Sequence, residues 1–230
     1  MQFRIYSNRL FRRMSTVSFF ATAGFLGALF VVPLYLQEGY DFSAMESGLA
    51  VFPEAVGVAV SSQVVARLYL RIGPRRLMAG GLFWVALALF IVATLPTAEN
   101  VWLFRLNMFM LGTGMACVFL PNQAASMATI TREQTGRAST LFSVQRQIAS
   151  AGGVALMSTV LSGIGVVTIN AAGIEIPNLT AYHVAFAVAG CSALIGSLLA
   201  WRVPDEEAAI TMVRRSSPPP EPELKRTASA

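Results

Sequence analysis

The chain has 230 residues, 55% of them hydrophobic and 13% charged, against ~25% charged in soluble domains. The apolar residues gather into six blocks of bilayer-spanning length, which excludes an ordinary soluble domain. The net charge of +5 is divided among alternate loops rather than massed on one face, which excludes a nucleic-acid binder.

Residues 1–13 form a basic segment carrying Arg4, Arg9, Arg12 and Arg13. The first apolar block, 14–36, has no charge and is too long for a signal-peptide core, so it reads as a span rather than a cleaved leader. Residues 37–47 contain no Lys or Arg, and Ser43-Ala-Met-Glu46 is a capping box that opens the next helix. The second block, 48–66, is interrupted only by Glu54. A helix starting at Ser43 places Pro53 in its interior, where it removes a backbone hydrogen bond and kinks the helix. Glu54 then lies ~9 Å inside the apolar stretch. A charge there costs up to ~2.5–3.5 kcal/mol, less toward the interface. Two readings stand side by side: Glu54 snorkels or pairs at the outer edge of the bundle, or it lines a substrate path and takes up a proton or a cationic group.

Arg67, Arg71, Arg75 and Arg76 precede the third block, 77–96, and residues 97–100 again lack Lys and Arg. The fourth block, 101–130, opens with Arg105, which either snorkels or faces a solute. Asn107, Gly112, Thr113, Gly114 and Pro121 follow; the glycines let a neighbouring helix approach and the proline weakens the helix at one point. Arg132 and Arg137 precede the fifth block, 138–169. Along this segment Gly136, Thr140, Ser143, Gln147, Ser150 or Ala151, Val154 and Ser158 recur at helical steps, a small and mostly polar stripe. Either the stripe packs helices together, with Gly152 and Gly153 as packing or hinge positions, or it faces a water-filled cavity where Arg146 and Gln147 offer donors. Residues 170–180 have no basic residue, and Asn178-Leu-Thr180 fits a glycosylation sequon. The sixth block, 181–201, begins with the lone His183, read as an interfacial residue. The tail, 204–230, is Pro-rich and polar and reads as disordered.

Basic residues occupy every second loop and both ends, which predicts six crossings with both termini cytoplasmic in the plasma (inner) membrane. Cys117 and Cys191 both fall inside predicted helices and read as packing residues. No HExxH, P-loop, GxSxG or cysteine–histidine arrangement occurs, so neither an enzyme site nor a metal or organic cofactor is expected. Scattered Glu, Arg, Asn, Gln, Gly and Pro in an otherwise apolar interior suit a solute carrier better than a channel. The fold class is an all-α integral membrane protein.

Several segments resemble the C-terminal half of a major facilitator superfamily transporter, of the 14-helix drug:proton antiporter family. Leu34-Tyr35-Leu36-Gln37, Gly39, Ser43, Ser47-Gly48-Leu49 and Pro53 are similar to one family helix–loop–helix. Arg71, Gly73, Arg75 and Arg76 resemble the cytoplasmic loop motif, although Ala66 and Leu70 replace its leading glycine and its acidic residue. Arg105 with Gly112 and Gly114 is similar to the fourth-helix pattern. The strongest likeness is Gly136, Ala138, Ser139, Leu141, Arg146, Gln147, Gly153 and Ala155. The resemblance covers about residues 9–203.

It implies a six-helix half-bundle of an efflux carrier, exporting small amphipathic or cationic solutes by alternating access with a proton gradient as the energy source. Arg71, Gly73, Arg75 and Arg76 would form the cytoplasmic gate, and Glu54, Arg105, Asn107, Arg146 and Gln147 the proton and substrate candidates. A central site lies between two bundles, so the implied partners are membrane lipid and either a first-half bundle or a second copy. Two alternatives remain open at the level of sequence: a non-transporting fragment or interaction module of the same family, and a facilitator for another small solute.

Overall fold

The computed structural model describes residues 9–95, 97–127, 135–170 and 174–203. Six helices follow in chain order: α1 Arg9–Tyr40, α2 Ala44–Ile72, α3 Pro74–Thr94, α4 Val101–Met127, α5 Thr135–Ile164 and α6 Leu179–Trp201. Each contains a stretch long and apolar enough to cross a membrane. The segments 1–8 and 204–230, including the tail read as disordered, lie outside the described residues.

Local chemistry sets the helix ends. Asp41, at φ 55°, turns the chain out of α1. At the start of α2 the Ser43 backbone N–H donates to the Glu46 carboxylate at 2.9 Å, and the Ser43 hydroxyl accepts from the Glu46 N–H at 3.3 Å, completing the capping box. Gly73 joins α2 to α3 at φ 85°, a left-handed backbone that a side chain would strain, and Pro74 opens α3 where its missing N–H is harmless. Pro33, Pro53 and Pro121 all sit inside helices that continue on both sides.

Several helix ends differ from the sequence expectation: α1 already runs from Arg9 and α2 continues to Ile72. α1 continues past residue 36 to Tyr40, carrying Glu38 with it. The fifth helix stops at Ile164 instead of 169: Gly165 takes φ 86°, and Val167–Ile169 becomes strand β1, antiparallel to β2 at Glu175–Pro177. β-branched Val167, Thr168 and Ile169 favour this extended pairing once the glycine has broken the helix. The architecture is therefore helical with one short hairpin.

The lateral arrangement repeats itself. α4 packs between α2 and α3, α1 packs between α5 and α6, α3 lies on α6, and α1 also touches α4. Exchanging the first three helices with the last three maps this pattern onto itself. Helices alternate in direction, so the two triplets are inverted in the membrane. The parallel pairs α2–α4 and α1–α5 approach closest. A Cβ at Gly112 would collide with the Glu54 carbonyl, and one at Gly153 with the Ala23 carbonyl. Glycine at these crossings lets backbone meet backbone. Serine hydroxyls tie other helices together, Ser192 to the Phe20 carbonyl at 3.0 Å and Ser197 to the Ala79 carbonyl at 2.8 Å.

Burial is uneven. The most apolar window of α1 is 61% buried, whereas those of α2 and α5 are only 17% and 22% buried. The core runs along α1, α3, α4 and α6 around Tyr35, Tyr182, Phe186, Leu82, Leu89 and Met108. α2 and α5 each present a largely uncovered face.

Candidate functional site

The uncovered face of α5 carries small and polar residues beside exposed Val144, Ile148 and Leu156. Its inward side consists of Ala138, Ala149, Gly153, Met157 and Leu161, all buried, with half-buried Gln145 beside them. Of the stripe read from the sequence, Gly136, Thr140, Ser143, Gln147, Ala151 and Ser158 are exposed, while Ser150 and Val154 are half-buried. Most of the stripe therefore does not pack α5 into this bundle. Gly152 likewise meets nothing within 4 Å of a built Cβ, so the expectation of packing holds for Gly153 and not for Gly152 within this chain.

Arg146 is exposed on the same helix. It lies ~16 Å along the axis from Thr135, about the middle of a ~30 Å hydrocarbon layer. A guanidinium held at that depth against lipid costs ~2.5–3.5 kcal/mol or more. The polar stripe and Arg146 together mark a surface that faces water or another protein element.

On α2, Glu54 is half-buried at the seam with α4. Its backbone carbonyl receives Gly112, and about two turns further along the Ser61 hydroxyl donates to Thr113 Oγ1 at 3.1 Å. Among the described residues, none pairs with or donates to its carboxylate. Arg105 does not meet it. The Arg105 guanidinium lies 5.1 Å from the centre of the Trp102 ring, and its Nε is buried with no hydrogen-bond partner. Asn107 points away from both, 3% exposed, with Nδ2 donating to the Ala88 carbonyl of α3 at 3.1 Å. It holds α4 to α3. The structure thus separates the five candidates: Glu54 at one seam, Arg146 and Gln147 on an open face, Arg105 on a tryptophan and Asn107 in the core.

The arginines of the α2–α3 turn also divide. Arg71 and Arg76 are exposed, while Arg75 is half-buried with its guanidinium 5.3 Å from the Trp201 ring centre. Arg75 therefore joins the turn to the end of α6 inside the same bundle. Pro121, Gly112 and Gly114 are all buried, the last against Gly81 and Val85 of α3.

Sequence reading missed a second polar set. Ser15, Ser18 and Thr22 on α1 are at most 5% exposed, Asn122 on α4 is 1% exposed, and Gln145 donates to the Ser15 carbonyl. The spacing 15, 18, 22 in an apolar helix was the available signal. At the other end of α1, Tyr35 lies within 3.4 Å of both Tyr40 and His183, and the Tyr182 hydroxyl donates to Glu38 at 2.6 Å. His183 is half-buried against aromatic rings there. The sequon Asn178 donates its side-chain amide to the Gly165 carbonyl at 2.8 Å.

A six-helix bundle of inverted triplets, with glycine crossings and one polar open face, is matched from residue 14 to residue 228 by the family model of the Major Facilitator Superfamily. The chain belongs to that superfamily. This facilitator chain is 27% identical over 161 residues to a "Multidrug resistance protein B homolog" of Mycobacterium tuberculosis, covering 69% of the chain and 30% of that protein. It is 31% identical over 188 residues to the puromycin resistance protein pur8 of Streptomyces alboniger, covering 77% and 37% respectively. It is also 26% identical over 163 residues to the "Putative multidrug resistance protein MdtD" of Pectobacterium atrosepticum, covering 68% and 35%. The facilitator chain thus spans about a third of the length of these curated relatives. It is a multi-pass membrane protein.

Proposed function

We propose that the chain supplies one wall of a proton-coupled efflux pathway for amphipathic, often cationic, solutes. The observation that carries this reading is the exposed polar stripe of α5 with Arg146 at mid-membrane depth. Such a face is costly against lipid and suits a water-filled passage. The opposite wall comes from a second six-helix bundle, whether on the same longer protein, on a separate chain or on a second copy. Glu54 is the proton or cation site: an acidic side chain at a helix seam, to which no arginine among the described residues pairs. The alternation of loop arginines supports an orientation with both termini on the cytoplasmic side of the plasma membrane. The names of the relatives favour drugs over sugars or amino acids as cargo.

The test is export of ethidium from cells lacking their own efflux carriers, energised by an imposed pH gradient. The chain is expressed alone and beside the N-terminal bundle of a relative. Gradient-driven export in either format supports the reading, and its loss in Glu54→Gln at equal membrane insertion assigns the coupling group. Correct insertion with no export in both formats rejects it.

A further inference from the structure

A groove of about 290 Å³ opens between α2, α3 and α4, on the side of the bundle away from α5. Its walls include Ile72, Arg76, Gly80, Gly81, Trp84 and Cys117. Gly81 lies so close to α4 that an added Cβ would come 2.6 Å from the Cys117 Cβ, whereas one at Gly80 would meet nothing within 4 Å. The paired glycines therefore leave a trough along α3, floored by helix backbone. We infer that this trough binds an anionic phospholipid, one acyl chain lying over Gly80 toward Trp84 and the phosphate resting on Arg76.

Three observations select this occupant. First, the exposed residues beside the trough on α3 are Gly80, Phe83, Trp84 and Leu87, all apolar, so this side faces hydrocarbon. Second, Arg76 is the third residue of α3 and sits where the span meets the headgroups, while Trp84 lies ~12 Å deeper, a depth an acyl chain reaches. Third, Arg67 and Arg71 are exposed at the same end, and no acidic residue occurs between Glu54 and Glu99. Among the described residues at this end the charge is wholly positive, and the guanidinium fork of Arg76 matches two phosphate oxygens. This site is independent of the transport reading and of the α5 face.

Trp84 is the reporter. The full chain, with Trp102→Phe and Trp201→Phe leaving Trp84 as the sole indole, is placed in phosphatidylcholine bilayers. A small fraction of phosphatidylglycerol or of phosphatidylethanolamine with brominated acyl chains is then added. Brominated phosphatidylglycerol is expected to quench Trp84 with roughly fivefold higher apparent affinity, as one well-placed arginine provides at an anionic headgroup. Arg76→Gln should abolish the preference, and Gly80→Leu, at a position where an added Cβ meets nothing within 4 Å, should weaken quenching by both lipids. Arg71→Gln should leave the preference in place. Equal quenching by the two lipids, or equal loss in Arg76→Gln and Arg71→Gln, would show diffuse surface attraction and overturn the site.

Discussion

Adjacent residues on these helices have opposite duties, and substitutions should reveal them. Gly153 meets the Ala23 backbone while its neighbour Gly152 meets open space. Gly153→Ala is expected to destabilise the bundle by ~1–3 kcal/mol through overpacking. Gly152→Ala should be neutral or stabilising by up to ~1 kcal/mol, since it only removes backbone freedom from the unfolded chain. Reversible unfolding in mixed detergent micelles measures both, and equal effects would contradict the crossing described here. Asn107 offers a second contrast. Its bond to the Ala88 carbonyl predicts that Asn107→Ala loses ~0.6 kcal/mol, at most ~1.7. If export is observed, its substrate profile should stay unchanged, because the side chain faces α3 and not the open surface. A changed drug profile would return Asn107 to the substrate path.

At the level of helices, the open face of α5 makes a sharp forecast. With Cys117 and Cys191 replaced by serine, single cysteines at 143, 147, 151 and 158 should react with a membrane-impermeant thiol reagent. Those at 149 and 157 should not, as those positions are buried against the rest of the bundle. A uniform pattern around the helix would mean that lipid or protein covers the stripe. The α2–α3 turn makes another forecast. Arg75→Gln removes the contact with Trp201 and should lower stability by ~0.5–1 kcal/mol, with little change for Arg71→Gln. Unfolding midpoints of the two variants decide it.

The helices themselves were legible from sequence because blocks such as 77–96 and 181–201 are continuous and apolar, and length alone identifies a span. Which way each helix faces was not legible. In water an amphipathic helix announces its inner side, but here lipid and core are equally apolar and the contrast disappears. Hence Asn107 read as a pathway residue although it is buried, and Ser15, Ser18 and Thr22 went unread although they are buried too. The α5 stripe was visible as a pattern, yet only the structure showed that most of it is not packed into this bundle. The hairpin at Val167–Ile169 was hidden because apolar β-branched residues suit a span and a strand alike.

For the molecule as a whole, α2 and α5 hold equivalent places in the two triplets and are the least covered of the six helices. A second bundle that covers them should therefore stabilise this one. Co-expression with the N-terminal bundle of a relative is expected to raise the apparent melting temperature, by mass action on the folded state. An unchanged melting temperature despite co-purification would place the contact elsewhere.

The exchange of triplets also bears on vectorial work. A scaffold whose two inverted parts pack alike offers the same shape to both sides of the membrane and prescribes no direction by itself. Direction must then be written in side chains that break the likeness. Counted from Ala44 and from Thr135, Glu54 and Arg146 stand at nearly the same place in α2 and α5, one acidic and one basic. That difference of sign is one place where the likeness of the two triplets is broken.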